Sequence, residues 1–124
     1  MRRELPILFE DHAILALNKP SGLAVHPGLD RTGDDVVARL AELGLAPAAP
    51  VHRLDKPTSG VLLCARSKAA AIELGRAFSD GRVEKVYLAL VRGGAPAQAL
   101  VDHPIPRDEG GPRVPARTRV VLLA

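Results

Sequence analysis

One carboxylate, Asp55, lies between two cations, Arg53 and Lys56, in the stretch His52-Arg53-Leu54-Asp55-Lys56-Pro57-Thr58-Ser59-Gly60. Flanking positive charge favours the ionised form of a carboxylate. An ionised carboxylate acts as a nucleophile or a base and not as a proton donor. Arg53 is two residues away, so in an extended loop both side chains point to one side. On spacing alone, an Asp before Lys-Pro is more often a turn residue than a reactive one. The other candidates for chemistry are weaker. His12, His26, His52 and His103 match no zinc-ligand spacing, and Cys64 has no second cysteine to join it, so no metal site is expected. His52 reads as a loop support through hydrogen bonding. Lys19 reads as a solvated turn lysine, with a phosphate contact as the other reading.

A reactive loop needs a rigid mount. Pro57 fixes its own φ and biases Lys56 away from helix, while Gly60 permits a backbone geometry closed to other residues. The run Gly60 to Ala65 then predicts a buried strand. Ile7 to Phe9 and Ala13 to Leu17 predict two strands about a turn, Asn18 to Gly22 a turn cluster, and Val25 to Gly28 a short extended piece. Asp34 to Leu43 predicts a helix, with Val36, Leu40 and Leu43 at helical spacing, Asp34-Asp35 at its N-terminus and Gly44 as a stop. Ser67 predicts the cap of a second helix over Lys68 to Phe78, whose inward stripe is Ala71, Leu74, Gly75 and Phe78. Val83 to Val91 is apolar on both faces and predicts a central strand, with Lys85, Tyr87 and Ala89 on one face. Residues 93 to 115 predict loops about an edge strand at Leu100-Val101, and Thr118 to Leu123 a last strand.

At 124 residues the chain is one domain at most. With Trp absent and only Phe9, Phe78 and Tyr87 aromatic, the core must be aliphatic and base stacking has few candidates. No apolar run reaches membrane-spanning length and no secretory signal is evident, so a cytoplasmic location without a membrane partner is expected. Buried Cys64 is expected to act as a small hydrophobe. Residues 1–45 carry five Lys/Arg and seven Asp/Glu; residues 46–124 carry twelve and seven. The basic surplus therefore falls in the later part, which suits a phosphate backbone.

The motif loop resembles the HRLD-x-x-TSG signature of the RluA family of RNA pseudouridine synthases. Asn18-Lys19-Pro20-Ser21-Gly22 with Val25-His26 resembles its NKPSG-x-x-VH segment, and Glu84 to Gly93 resembles its EK-x-Y-x-A-x-V-x-G strand. The resemblance implies an α+β fold: a mixed, largely antiparallel sheet of the pseudouridine synthase catalytic domain, of which residues 1–124 are the N-terminal portion. It implies isomerisation of uridine to pseudouridine in structured RNA, tRNA or rRNA, by an aspartate-dependent mechanism with base flipping, without cofactor or metal. Asp55 is then the catalytic residue. Arg53 fills the stack vacated by the flipped nucleotide, Tyr87 stacks on the target base, and Lys85 contacts phosphate or orders the site. The other function considered is a non-catalytic RNA-binding fragment.

Leu29-Asp30-Arg31 and the run from Ser59 to Leu63 are closest to the TruC-like branch acting on tRNA. The chain ends on an apolar strand without the family's TGR-x-HQ-[IL]R segment, whose arginine pairs with the catalytic aspartate. That ending predicts a C-terminally truncated domain, monomeric when full length.

Overall fold

The computed structural model describes residues 4–28, 33–106 and 110–124, so the Leu29-Asp30-Arg31 segment lies outside the described residues. The chain forms two compact units, residues 1–85 and 86–124. In chain order the first contains β1 (Ile7–Glu10), β2 (Ile14–Lys19), α1 (Val36–Glu42), β3 (Ala49–Pro50), β4 (Gly60–Ala65) and α2 (Lys68–Ser79).

Asp11 makes the first turn. Its Oδ1 accepts the N–H groups of Ala13 at 2.8 Å and Ile14 at 2.7 Å, the Asx geometry that lets a short acid replace a main-chain acceptor. These two bonds hold its carboxyl below the usual carboxylate range. The turn joins β1 to β2, which pairs in turn with β4, and β4 with β3; every pairing is antiparallel. Alternation along β2 and β4 sorts their side chains. Leu15 faces Cys64 and Leu17 faces Leu62 across the ladder, and all four are buried. Val36 and Leu40 of α1 join them in one aliphatic core with Leu5, Leu23, Val25 and Leu54. Burial pushes the Cys64 thiol up to about 11, as suits an inert core thiol.

α2 begins where the sequence predicts, and α1 begins at Val36, two residues inside the predicted start at Asp34. Asp35 caps α1 by accepting from the Ala38 N–H at 2.8 Å. Arg39 ties the helix back to its entry through Asp34, at 2.8 and 3.0 Å, and to the Glu4 carbonyl at 2.9 Å. Ser67 caps α2 by accepting from Ala70 N–H at 3.1 Å. The predicted α2 stripe of Ala71, Leu74, Gly75 and Phe78 is half-buried, and no α2 residue is fully buried. Ala70, Leu74 and Ala77 instead line a cleft of about 430 Å³ with Ala13 and Ile14. Loosely covered, α2 depends on its cap. Ser67→Ala should lower stability by about 1 kcal/mol, measured as a urea midpoint shift at unchanged slope.

The second unit holds β5 (Gln98–Asp102), β6 (Ile105–Pro106), β7 (Arg113–Val114) and β8 (Arg117–Val121). β5 pairs with β8 and β6 with β7, both antiparallel. The expected strands at Leu100-Val101 and at Thr118 onward are thus each other's partners. The expected central strand over Val83 to Val91 does not form. A strand exists by pairing its main chain with a neighbour, and none of the described strands pairs with this segment. Val86, Leu88 and Leu90 are 91%, 84% and 103% exposed, so the apolar character that predicted a buried strand has nothing to pack against here. The expected sharing of one strand face by Lys85, Tyr87 and Ala89 is therefore not realised.

Candidate active site

The loop between β3 and β4 is held by its middle residue. Leu54 is buried in the core, while Arg53 and Asp55 on either side of it are exposed. This alternation presents guanidinium and carboxylate to solvent, as the two-residue spacing predicts. The tight turn spans Asp55 to Thr58. The Thr58 N–H donates to the Asp55 carbonyl at 2.9 Å, so the turn closes about Lys56-Pro57 and begins at Asp55 itself. Gly60, at φ +130°, then returns the chain to the sheet in a region side chains resist.

The turn is clamped from outside by the Asn18-to-Gly22 segment. The Lys56 carbonyl accepts from the Gly22 N–H at 2.8 Å and from Lys19 Nζ at 3.1 Å. The Pro57 carbonyl accepts from Ser21 Oγ at 2.7 Å. Gly22 can deliver its N–H from a φ of +88° because it carries no Cβ. Lys19 Nζ also donates to Leu23 O at 2.6 Å and Pro20 O at 3.0 Å.

Lys19 is therefore not the solvated turn lysine the sequence predicts. Its side chain is fully buried, with all three ammonium donors used on carbonyls. Burial pushes its pKa down, and the nearby charge of Asp55 opposes that shift. Lys19 is thus coupled both to the turn and to the carboxylate it presents. One signal could have found it: β2 alternation puts Lys19 on the buried face of Leu15 and Leu17.

His52 supports the loop as predicted. Its Nε2 accepts the Leu63 N–H of β4 at 2.9 Å, and its ring stacks on Phe78 of α2 with centroids 4.7 Å apart and planes 21° from parallel. Burial lowers its pKa, and the charge of Lys85 lowers it further, against a backbone hydrogen bond with Arg53. Arg53, Asp55 and Lys85 all belong to the first unit, whereas Tyr87 belongs to the second, where its side chain is 59% exposed. Among the described residues no cluster of three or more His, Cys, Asp or Glu could hold a metal ion, and no helix is long and apolar enough to cross a membrane.

An exposed carboxylate on a turn fixed at both ends, with an arginine beside it, can approach a bulky substrate without moving. Comparison with known proteins places the chain. The chain belongs to the RNA pseudouridylate synthase family, whose pattern matches residues 13–121, and it is of the RluA type. Over 103 residues it is 45% identical to the dual-specificity RNA pseudouridine synthase RluA of Escherichia coli, covering 82% of this chain and 47% of that protein. It is 41% identical over 103 residues to tRNA pseudouridine synthase C of Pasteurella multocida, covering 82% of this chain and 42% of that one. The chain thus spans less than half the length of these relatives. Its fold resembles the structure of human RNA pseudouridylate synthase domain containing 1, with a TM-score of 0.77 and 28% identity over 99% of this chain and 54% of that one.

Proposed function

We propose that this chain carries the catalytic aspartate of an enzyme that isomerises uridine to pseudouridine in structured RNA. The observation that carries the reading is the exposed Asp55 on its clamped turn, in a chain of this family. In the reaction the bond from ribose C1′ to uracil N1 breaks. The detached base rotates, C5 bonds to C1′ and gives up its proton to water, and N1 takes a proton from water, so that the net change is an isomerisation. Asp55 enters as an anion, by attack on C1′ or by removal of a ribose proton. Both routes need the base out of its stack, and enzymes acting on bases flip the nucleotide. Arg53 then occupies the vacated stack, Tyr87 supports the flipped base, and Lys85 takes a phosphate. The proposed route uses no cofactor and no metal. A tRNA substrate is favoured by the Ser59 to Leu63 run and the Leu29-Asp30-Arg31 segment.

The test is a chimera in which this chain replaces the matching segment of the E. coli dual-specificity synthase, assayed for pseudouridine in tRNA and in ribosomal RNA. Product in tRNA supports the whole reading. Product in ribosomal RNA alone removes the tRNA branch. RNA binding without product turns the reading to a non-catalytic RNA-binding fragment.

The roles of Arg53 and Tyr87 separate by substrate and by chemistry. Arg53→Ala should cost roughly 10–100-fold on structured RNA, the scale of a few kcal/mol for unstacking a base, and much less on a flexible single strand. Tyr87→Phe keeps the stacking face and should cost less than Tyr87→Leu. Equal losses for the two would assign the role to the hydroxyl.

A further inference from the structure

We propose that His52 is a positioning residue, a latch that holds the Arg53-to-Asp55 loop against β4 as a neutral imidazole and lets it go in mild acid. The latch goes beyond the proposed function and draws on it only for the importance of the loop.

The geometry begins with how the chain leaves the sheet. β3 and β4 pair at Ala49 with Ala65 and Pro50 with Cys64. The Leu63 carbonyl still accepts a main-chain donor, Val51 N–H, at 3.1 Å. The Leu63 N–H has an imidazole nitrogen in place of a carbonyl, His52 Nε2 at 2.9 Å. The side chain of His52 thus completes the ladder and frees its own main chain to turn outward toward Arg53. A half-buried N–H left without that acceptor would be costly.

A nitrogen that accepts an N–H must hold a lone pair, so Nε2 is unprotonated and the proton sits on Nδ1. An imidazolium would set a donor against a donor. The surroundings disfavour that charge as well. α2 presents the Phe78 ring, β4 a backbone amide, and the segment after α2 the Lys85 ammonium. A histidine with a depressed folded-state pKa binds fewer protons folded than unfolded. Its contribution to stability is therefore complete above the ordinary value of 6.5 and is lost as pH falls below it through the folded value.

The test uses the 124-residue chain, labelled with ¹⁵N, and heteronuclear NMR from neutral to mildly acidic pH. The expected result is an unprotonated Nε2, a His52 titration below 6.5, and Leu63, Arg53 and Asp55 amide signals that move in the same step. His52→Gln, whose amide oxygen accepts a hydrogen bond at any pH, should keep the Leu63 amide protected and abolish that step. His52→Leu fills the space without an acceptor and should speed Leu63 amide exchange roughly tenfold, the worth of one hydrogen bond. The proposal is overturned by a proton on Nε2 or a titration at or above 6.5. It is equally overturned by a Leu63 amide indifferent to His52, or by His52→Gln behaving like His52→Leu. None of these readouts depends on catalysis, so failure here leaves the pseudouridine assay to judge the reaction separately.

Discussion

Asp55→Asn should abolish uridine isomerisation in the chimera while leaving RNA affinity essentially unchanged. The loss expected is roughly 10⁴-fold or more, the scale on which removing a reacting side chain acts. The turn's hydrogen bond survives because it uses the main-chain carbonyl of residue 55, not its carboxylate, although the charge that supports the buried Lys19 ammonium is lost. The clamp bonds end on the carbonyls of Lys56 and Pro57, so they too survive. What disappears is the negative charge, which either proposed route needs at ribose. On the proposed reading, RNA affinity rests with Arg53, Lys85 and the basic surplus of residues 46–124. Quantifying pseudouridine beside a binding isotherm checks both halves, and a variant that still turns over near the wild-type rate ends the assignment of Asp55.

Lys19→Met should destabilise the first unit by roughly 2–4 kcal/mol. Removing the ammonium relieves the cost of burying a charge, which limits the loss. It also strips the buried Leu23 carbonyl of a charged donor, and an orphaned buried polar group costs about 1–3 kcal/mol, while the carbonyl of exposed Pro20 can turn to water. The Lys56 carbonyl keeps Gly22 but loses its second bond. Methionine matches the length of the stem, so the measured effect belongs to the ammonium and not to a cavity. Urea unfolding gives the stability change, and the exchange rate of the Thr58 amide gives the slackening of the turn. A variant as stable as the wild type, with that amide unaffected, would show that the clamp is idle.

Much of the first unit is legible in the sequence because local rules and tertiary packing agree there. Ser67 followed by an apolar stripe, Val36 and Leu40 at helical spacing, and the Gly60 to Ala65 run each have one structural solution, and each is adopted. The segment from Val83 to Val91 is legible as a strand by composition only, because a strand is completed by its neighbours and none of the described strands pairs with it. The loop residues Arg53 and Asp55 stand out through their charge pattern. Lys19 does not, since a lysine beside Pro-Ser-Gly looks like any solvated turn. Ser21, Gly22 and Lys56 were hidden for a related reason: two loops far apart in the chain meet only after β2 and β4 have paired.

The clamp bonds from Lys19, Ser21 and Gly22 all end on main-chain carbonyls of the turn. Lys19 reaches across 37 residues of sequence to the carbonyl of residue 56, which any amino acid provides. These three bonds therefore do not depend on which side chain follows the aspartate. Side chains at the tip can vary without touching these three bonds, provided that the lysine, the serine and the glycine of the other loop stay in place. The surface around the aspartate can change while the main-chain path that presents its carboxylate is retained.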